Sequence, residues 1–95
     1  MKTRKTVIVR GRVQGVAFRH YTALAAAEQK VSGWVMNLPD GGVKACFEGE
    51  EEQVRAMVEW CRQGPDLARV EELIEERGEY TGEFTGFDIR YSDDK

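Results

Sequence analysis

The chain has 95 residues, 41% apolar and 33% charged, with a formal net charge of −3. That length and balance predict one globular domain, residues 1–95, with most apolar side chains committed to its core, and they exclude a disordered chain. The acidic sum argues against a broad nucleic-acid surface, while leaving room for one local basic site.

No apolar run is long enough to span a membrane. Met1-Lys2-Thr3-Arg4-Lys5 is charged, with no apolar stretch behind it of the kind a signal peptide needs. A cytoplasmic protein without a membrane partner is therefore expected. Cys46 and Cys61 are the two cysteines, and His20 is the one histidine. That set builds no metal framework, so two buried, reduced thiols and no metal or cofactor are expected.

Along the chain, Thr6-Val7-Ile8-Val9 is β-branched, and alternation sets Val7, Val9, Gly11 and Val13 on one face of a first strand. Gln14 and Gly15 end it. From His20 to Lys30 good helix formers dominate, so a helix rests there on propensity more than on an apolar stripe, with Gly33 as its stop. Trp34–Leu38 reads as a second strand. Pro39-Asp40-Gly41-Gly42 is a turn, because proline presets one torsion and glycine accepts positive φ. Val43, Ala45 and Phe47 then alternate with Lys44, Cys46 and Glu48, which closes a hairpin that Gly49 ends.

Val54, Met57, Val58 and Cys61 fall at i, i+3, i+4 and i+7, the face of a second helix. Glu50, Glu51 and Glu52 suit its positive N-terminus, and Gly64-Pro65 stops it. Residues 67–77 are ambiguous: Val70, Leu73 and Ile74 fit helical spacing, yet the order of elements invites a returning strand. After a loop from Gly78 to Gly86, Phe87, Ile89 and Tyr91 alternate as a short last strand. The order β-α-β-β-α-β predicts an α+β, ferredoxin-like sandwich, an antiparallel sheet with both helices on one face and a short extra C-terminal strand. Such a fold serves many functions.

The connection from the first strand to the first helix carries chemistry. A helix start has amides without internal partners, and its dipole favours an anion. Gly15 lets the backbone curl into a nest, and Arg19 offers a planar fork of donors for a phosphate or carboxylate. On these residues alone, the turn is either a compact dianion site or an ordinary connection with a solvated arginine. It is not a Walker loop, since no Gly-Lys-Ser/Thr follows, and Gly11 and Gly15 lack the spacing of a dinucleotide fingerprint.

Gly11-Arg12-Val13-Gln14-Gly15-Val16-Ala17-Phe18-Arg19 resembles the N-terminal signature of the acylphosphatase family. Gly33-Trp34-Val35-Met36-Asn37 resembles its second signature, at that family's spacing, and Pro39-Asp40-Gly41 and Phe87-Asp88-Ile89-Arg90-Tyr91 are similar to its members. The resemblance runs from Val7 to Tyr91. It implies hydrolysis of a small-molecule acyl phosphate to a carboxylate and inorganic phosphate, without metal or cofactor, and it implies that 67–77 is a strand. Carried over, Arg19 grips the phosphate and Asn37 positions the attacking water. The amides of Gln14, Gly15, Val16, Ala17, Phe18 and Arg19 cradle the phosphoryl oxygens. Inorganic phosphate, the product, is then a competitor.

Other residues are given plainer roles. His20 is a tolerated helix-start residue, Phe18 and Trp34 pack, Gln14 serves through its backbone, and the glutamates at 71, 72, 75 and 76 form a solvated face. Two positions depart from the family pattern. Met36 stands where many relatives carry Lys or Arg, which removes positive field if it lies near the site. Ser92-Asp93-Asp94-Lys95 extends past Tyr91, which puts in doubt a contact between the chain end and the catalytic arginine. Two alternatives share the fold. A ferredoxin-like RNA-binding module needs aromatics displayed on strand three, which Val43–Glu48 lacks. An accessory domain for carbamoyl transfer would continue into cysteine-rich zinc motifs, so a free-standing, monomeric enzyme is expected.

Overall fold

A computed structural model describes residues 1–91. The elements are β1 (Lys2–Arg12), α1 (Phe18–Gln29), β2 (Ser32–Asn37), β3 (Val43–Glu50), α2 (Glu51–Gln63), β4 (Arg69–Gly78) and β5 (Phe87–Arg90). They form one five-stranded sheet in the order β4-β1-β3-β2-β5. The β1–β3, β1–β4 and β2–β3 pairs are antiparallel, as the ferredoxin-like order requires. β5 instead pairs parallel to β2, from Gly33↔Phe87 to Met36↔Arg90, so the sheet is mixed and not purely antiparallel. The cause is topological: the chain leaves β4 at one edge and enters the opposite edge through residues 79–86.

Both helices pack on one face. Val7, Val9, Val35, Val43, Ala45 and Phe47 from the strands meet Val54, Met57, Val58 and Cys61 of α2 and Phe18 and Ala26 of α1 in a single buried cluster. The spacing read in α2 is therefore its core face, and Glu51 and Glu52 do occupy its first turn. Cys46 and Cys61 are both free and buried, and burial pushes the Cys61 thiol up to about 12.

Several boundaries differ from expectation, each for a tertiary reason. β1 begins at Lys2, because the charged N-terminal residues pair with the end of β3, starting at Lys2↔Glu50. α1 begins at Phe18, two residues before His20, and ends with Lys30 in the left-handed region. There the Val31 amide donates to Ala26 O at 2.9 Å and the Lys30 amide to Ala27 O at 3.2 Å, a Schellman-type close made without glycine. Gly33 is not the helix stop. It lies inside β2 at φ 138°, where an added Cβ would sit 1.8 Å from the Cys46 carbonyl oxygen. β4 settles the ambiguous segment: Arg69–Gly78 is a strand, held by pairing with β1 across a register shift at Arg10/Gly11.

Residues 79–86 close part of the sheet's other face. The Glu48 carboxylate, with a side chain 0% exposed, accepts the Thr81 amide at 2.9 Å, the Gly82 amide at 3.1 Å and Arg4 Nε at 2.7 Å. The Arg4 guanidinium lies 5.2 Å from the centre of the Phe84 ring. Burial alone would raise the Glu48 pKa. The Thr81 amide, the Arg4 side chain and the Gly82 amide outweigh it and hold the carboxyl below its ordinary range.

Candidate active site

The connection from β1 to α1 bends through two positive-φ residues, Gly15 at 76° and Ala17 at 61°. Gly15 is needed there for its torsion and not for space, since a Cβ would meet nothing within 4 Å. Ala17 enters the helix in the left-handed conformation, with no side-chain cap and no acidic residue in the first turn. No amide in 15–19 has a backbone acceptor among the described residues; Tyr21 is the first to donate, to Ala17 O at 3.1 Å. The loop therefore ends in a helix start whose donors and dipole are uncompensated, which is the electrostatic character of an anion site.

An open pocket of about 250 Å³ lies over this loop. Gln14, Gly15, Ala17, Phe18, Arg19 and Asn37 border it, so two separate sequence motifs meet at one place. Val16 does not border it: its side chain is buried in the core cluster. Asn37 is the last residue of β2 and pairs with Val43. It shares the helix-facing side of the strand with Val35, which directs it to the pocket. Met36, one residue earlier, is on the opposite side by strand alternation and does not border the pocket. Whatever charge stands at 36 is thus separated from the site by the sheet.

Arg19 projects from the first turn of α1. Its Nη1 donates to the Arg90 carbonyl at 3.0 Å, and its guanidinium lies 4.7 Å from the centre of the Tyr91 ring. The end of β5 therefore steadies the arginine while four of its five donors stay uncommitted to that contact. The expectation about the segment after Tyr91 concerns residues 92–95, outside the described residues. His20 borders the pocket as an exposed residue, edge-on to Tyr21 at 5.1 Å between ring centres.

One feature of the site was not readable from the sequence. Gln14 acts through its side chain as well as its position: Nε2 donates to the carbonyls of Leu38 and Gly42, each at 2.8 Å. It ties the 14–19 loop to the turn after Asn37. That turn is itself fixed, with Leu38 N donating to Gly42 O at 2.8 Å, and Asp40 accepting the Gly42 amide at 3.0 Å and Arg10 at 2.6 Å. These contacts, the Gly42 amide first, hold the Asp40 carboxyl below its ordinary range.

On the face of β3 away from the helices, Cys46 and Glu48 are buried, Lys44 is partly open and Glu50 is exposed, and none of the four is aromatic.

A family model described as Acylphosphatase matches residues 5–89. The chain belongs to the acylphosphatase family. A curated relative from Geobacter metallireducens, named Acylphosphatase, is 56% identical over 91 residues, covering 96% of this chain and 98% of the relative. Two solved structures share the fold closely. The acylphosphatase from Bacillus subtilis superposes with a TM-score of 0.89 at 33% identity, covering 96% of this chain and all of that one. The acylphosphatase from Coxiella burnetii gives 0.88 at 34% identity, over 94% of this chain and 93% of its own. Family membership agrees with the two signatures, and Arg19 of the first and Asn37 of the second border one pocket. Among the described residues no helix is long and apolar enough to cross a membrane.

Proposed function

We propose that this acyl phosphate hydrolase works through the pocket formed by the 14–19 loop, Arg19 and Asn37. The activity follows from family membership; the residue roles are our reading. The observation that carries it is the convergence of a helix start with unpaired amides, one steadied arginine and an asparagine from a different strand on a pocket of about 250 Å³.

In this mechanism the amides of Gln14, Gly15, Ala17, Phe18 and Arg19, whose residues border the pocket, and the Arg19 guanidinium take the phosphoryl oxygens. The substrate brings a carboxylate leaving group, so no strong general acid is needed. Water attacks phosphorus, the bond from phosphorus to the acyl oxygen breaks, and the acyl group departs as a carboxylate. The transition state is loose and spreads charge over the phosphoryl oxygens, where fixed dipoles and one guanidinium act best. Asn37 has no useful basic pKa. Its side-chain oxygen accepts a hydrogen bond from the water and orients it, and a phosphoryl oxygen of the substrate takes the water's proton.

The same reading takes residues 1–95 as one acylphosphatase-like domain, a cytoplasmic monomer that needs no metal or cofactor and has no nucleic-acid or membrane partner. Hydrolysis of benzoyl phosphate in the presence of EDTA, with inorganic phosphate added, tests it. Turnover that EDTA leaves intact and that phosphate inhibits competitively is expected. No turnover, or turnover abolished by EDTA and restored by a divalent cation, would overturn it.

A further inference from the structure

A second and larger cavity opens on the other side of the same loop. It holds about 880 Å³ between the side of α1, the end of α2 and the connection from α2 to β4. Tyr21, Leu24, Trp60 and Leu67 border it, together with Gly15 and Ala17. Tyr21 is 46%, Leu24 51% and Leu67 72% exposed, an outlay of apolar surface that a domain this small would ordinarily bury. Gly15 and Ala17 border both cavities, whereas Asn37, Ile89 and Tyr91 border only the phosphate pocket. Gly15, on the border of both, has no side chain, and a Cβ there would meet nothing within 4 Å.

We propose that this groove receives the acyl group of the substrate, and that it selects acyl phosphates with long apolar chains over short ones. The inference rests on the hydrolytic reading of the phosphate pocket and adds a direction to it. Phosphoryl transfer sets the attacking and leaving oxygens roughly in line. With water held at Asn37, the leaving carboxylate points away from Asn37. The apolar surface that shares Gly15 and Ala17 with the phosphate pocket, but not Asn37, is the one built from Tyr21, Leu24 and Leu67. Its occupant is the acyl group because the groove adjoins the phosphate site, with Gly15 and Ala17 bordering both. The volume exceeds what an acetyl group needs and suits a chain of several methylenes, each of which gains by leaving water.

Steady-state kinetics with acetyl phosphate and octanoyl phosphate test this on the wild type and on Leu24→Gln and Leu67→Gln. Both side chains are exposed, so the fold tolerates the changes, and Gln keeps helix propensity at position 24. The wild type is expected to favour octanoyl over acetyl phosphate in kcat/KM. Each variant should lower that ratio by roughly fivefold to tenfold, mainly through the KM of the longer substrate. An unchanged ratio overturns the acyl groove, whether both activities stay the same or fall together. Failure of the wild type to hydrolyse either substrate overturns the hydrolytic reading itself, a different result.

Discussion

In the proposed mechanism Arg19 grips the phosphoryl group, and its surroundings say how it should respond to change. It is fixed on one side by the Arg90 carbonyl and the Tyr91 ring, which leaves a preorganised fork toward the pocket. Arg19→Ala should cost about 2.7–4 kcal/mol in the transition state, roughly a hundred- to a thousandfold in kcat, with thermal unfolding little changed. Arg19→Lys should rescue little, since a point charge reproduces neither the fork nor the ring contact. Near wild-type turnover by either variant would remove Arg19 from the mechanism. Asn37→Ala should lower kcat far more than it weakens competitive inhibition by phosphate, because in the proposed mechanism it orients water and not the phosphoryl group. Gln14→Ala should raise the inhibition constant for phosphate and lower kcat together, by about tenfold or more, since it detaches the loop from the Asn37 turn. That Arg19 and Asn37 border one pocket could be anticipated because each sits in a signature. The side-chain role of Gln14 could not, because its acceptors are carbonyls 24 and 28 residues away that no local pattern announces.

At the scale of elements, legibility followed the strength of local signals against tertiary ones. α2 was plain because its four core residues repeat at helical spacing on an otherwise charged helix. α1 showed a weak stripe, since alanines fill several faces and burial falls on Phe18, Thr22 and Ala26. β4 was ambiguous because its apolar residues are few and its strand conformation is imposed by the β1 ladder. Gly33 was misread for a related reason. Glycine ends helices often, but here its use is close approach: the β3 backbone lies where a side chain would be. Gly33→Ala should therefore destabilise by about 1–3 kcal/mol or more, seen as a lower Tm. Gly15→Ala, with only its torsion to strain, should cost about 1 kcal/mol. Equal losses for the two variants would contradict this distinction between space and torsion.

Across the whole molecule, one buried carboxylate joins the two ends of the sheet's open face. Glu48 on β3 takes Arg4 from β1 and the Thr81 and Gly82 amides from the segment that carries the chain to β5. β5 in turn ends at the Arg90 carbonyl that steadies Arg19, so this clamp supports the site from the far side of the sheet. Glu48→Gln keeps the volume but removes the charge that Arg4 and both amides require. A loss of about 2–4 kcal/mol in unfolding free energy is expected near neutral pH. The pH dependence has a fixed sign. The folded pKa of Glu48 is depressed, so its contribution is complete above the unfolded value of about 4.3 and disappears as pH falls through the lower folded value. Exposed Asp40 and Glu50 are shifted the same way and act in both proteins, so the difference between wild type and variant isolates Glu48. Urea unfolding of both from pH 7 to pH 3 should show a constant gap down to about pH 5 and a narrowing gap below it. A gap that widens on acidification would mean that Glu48 is buried protonated, and the clamp as described would fail.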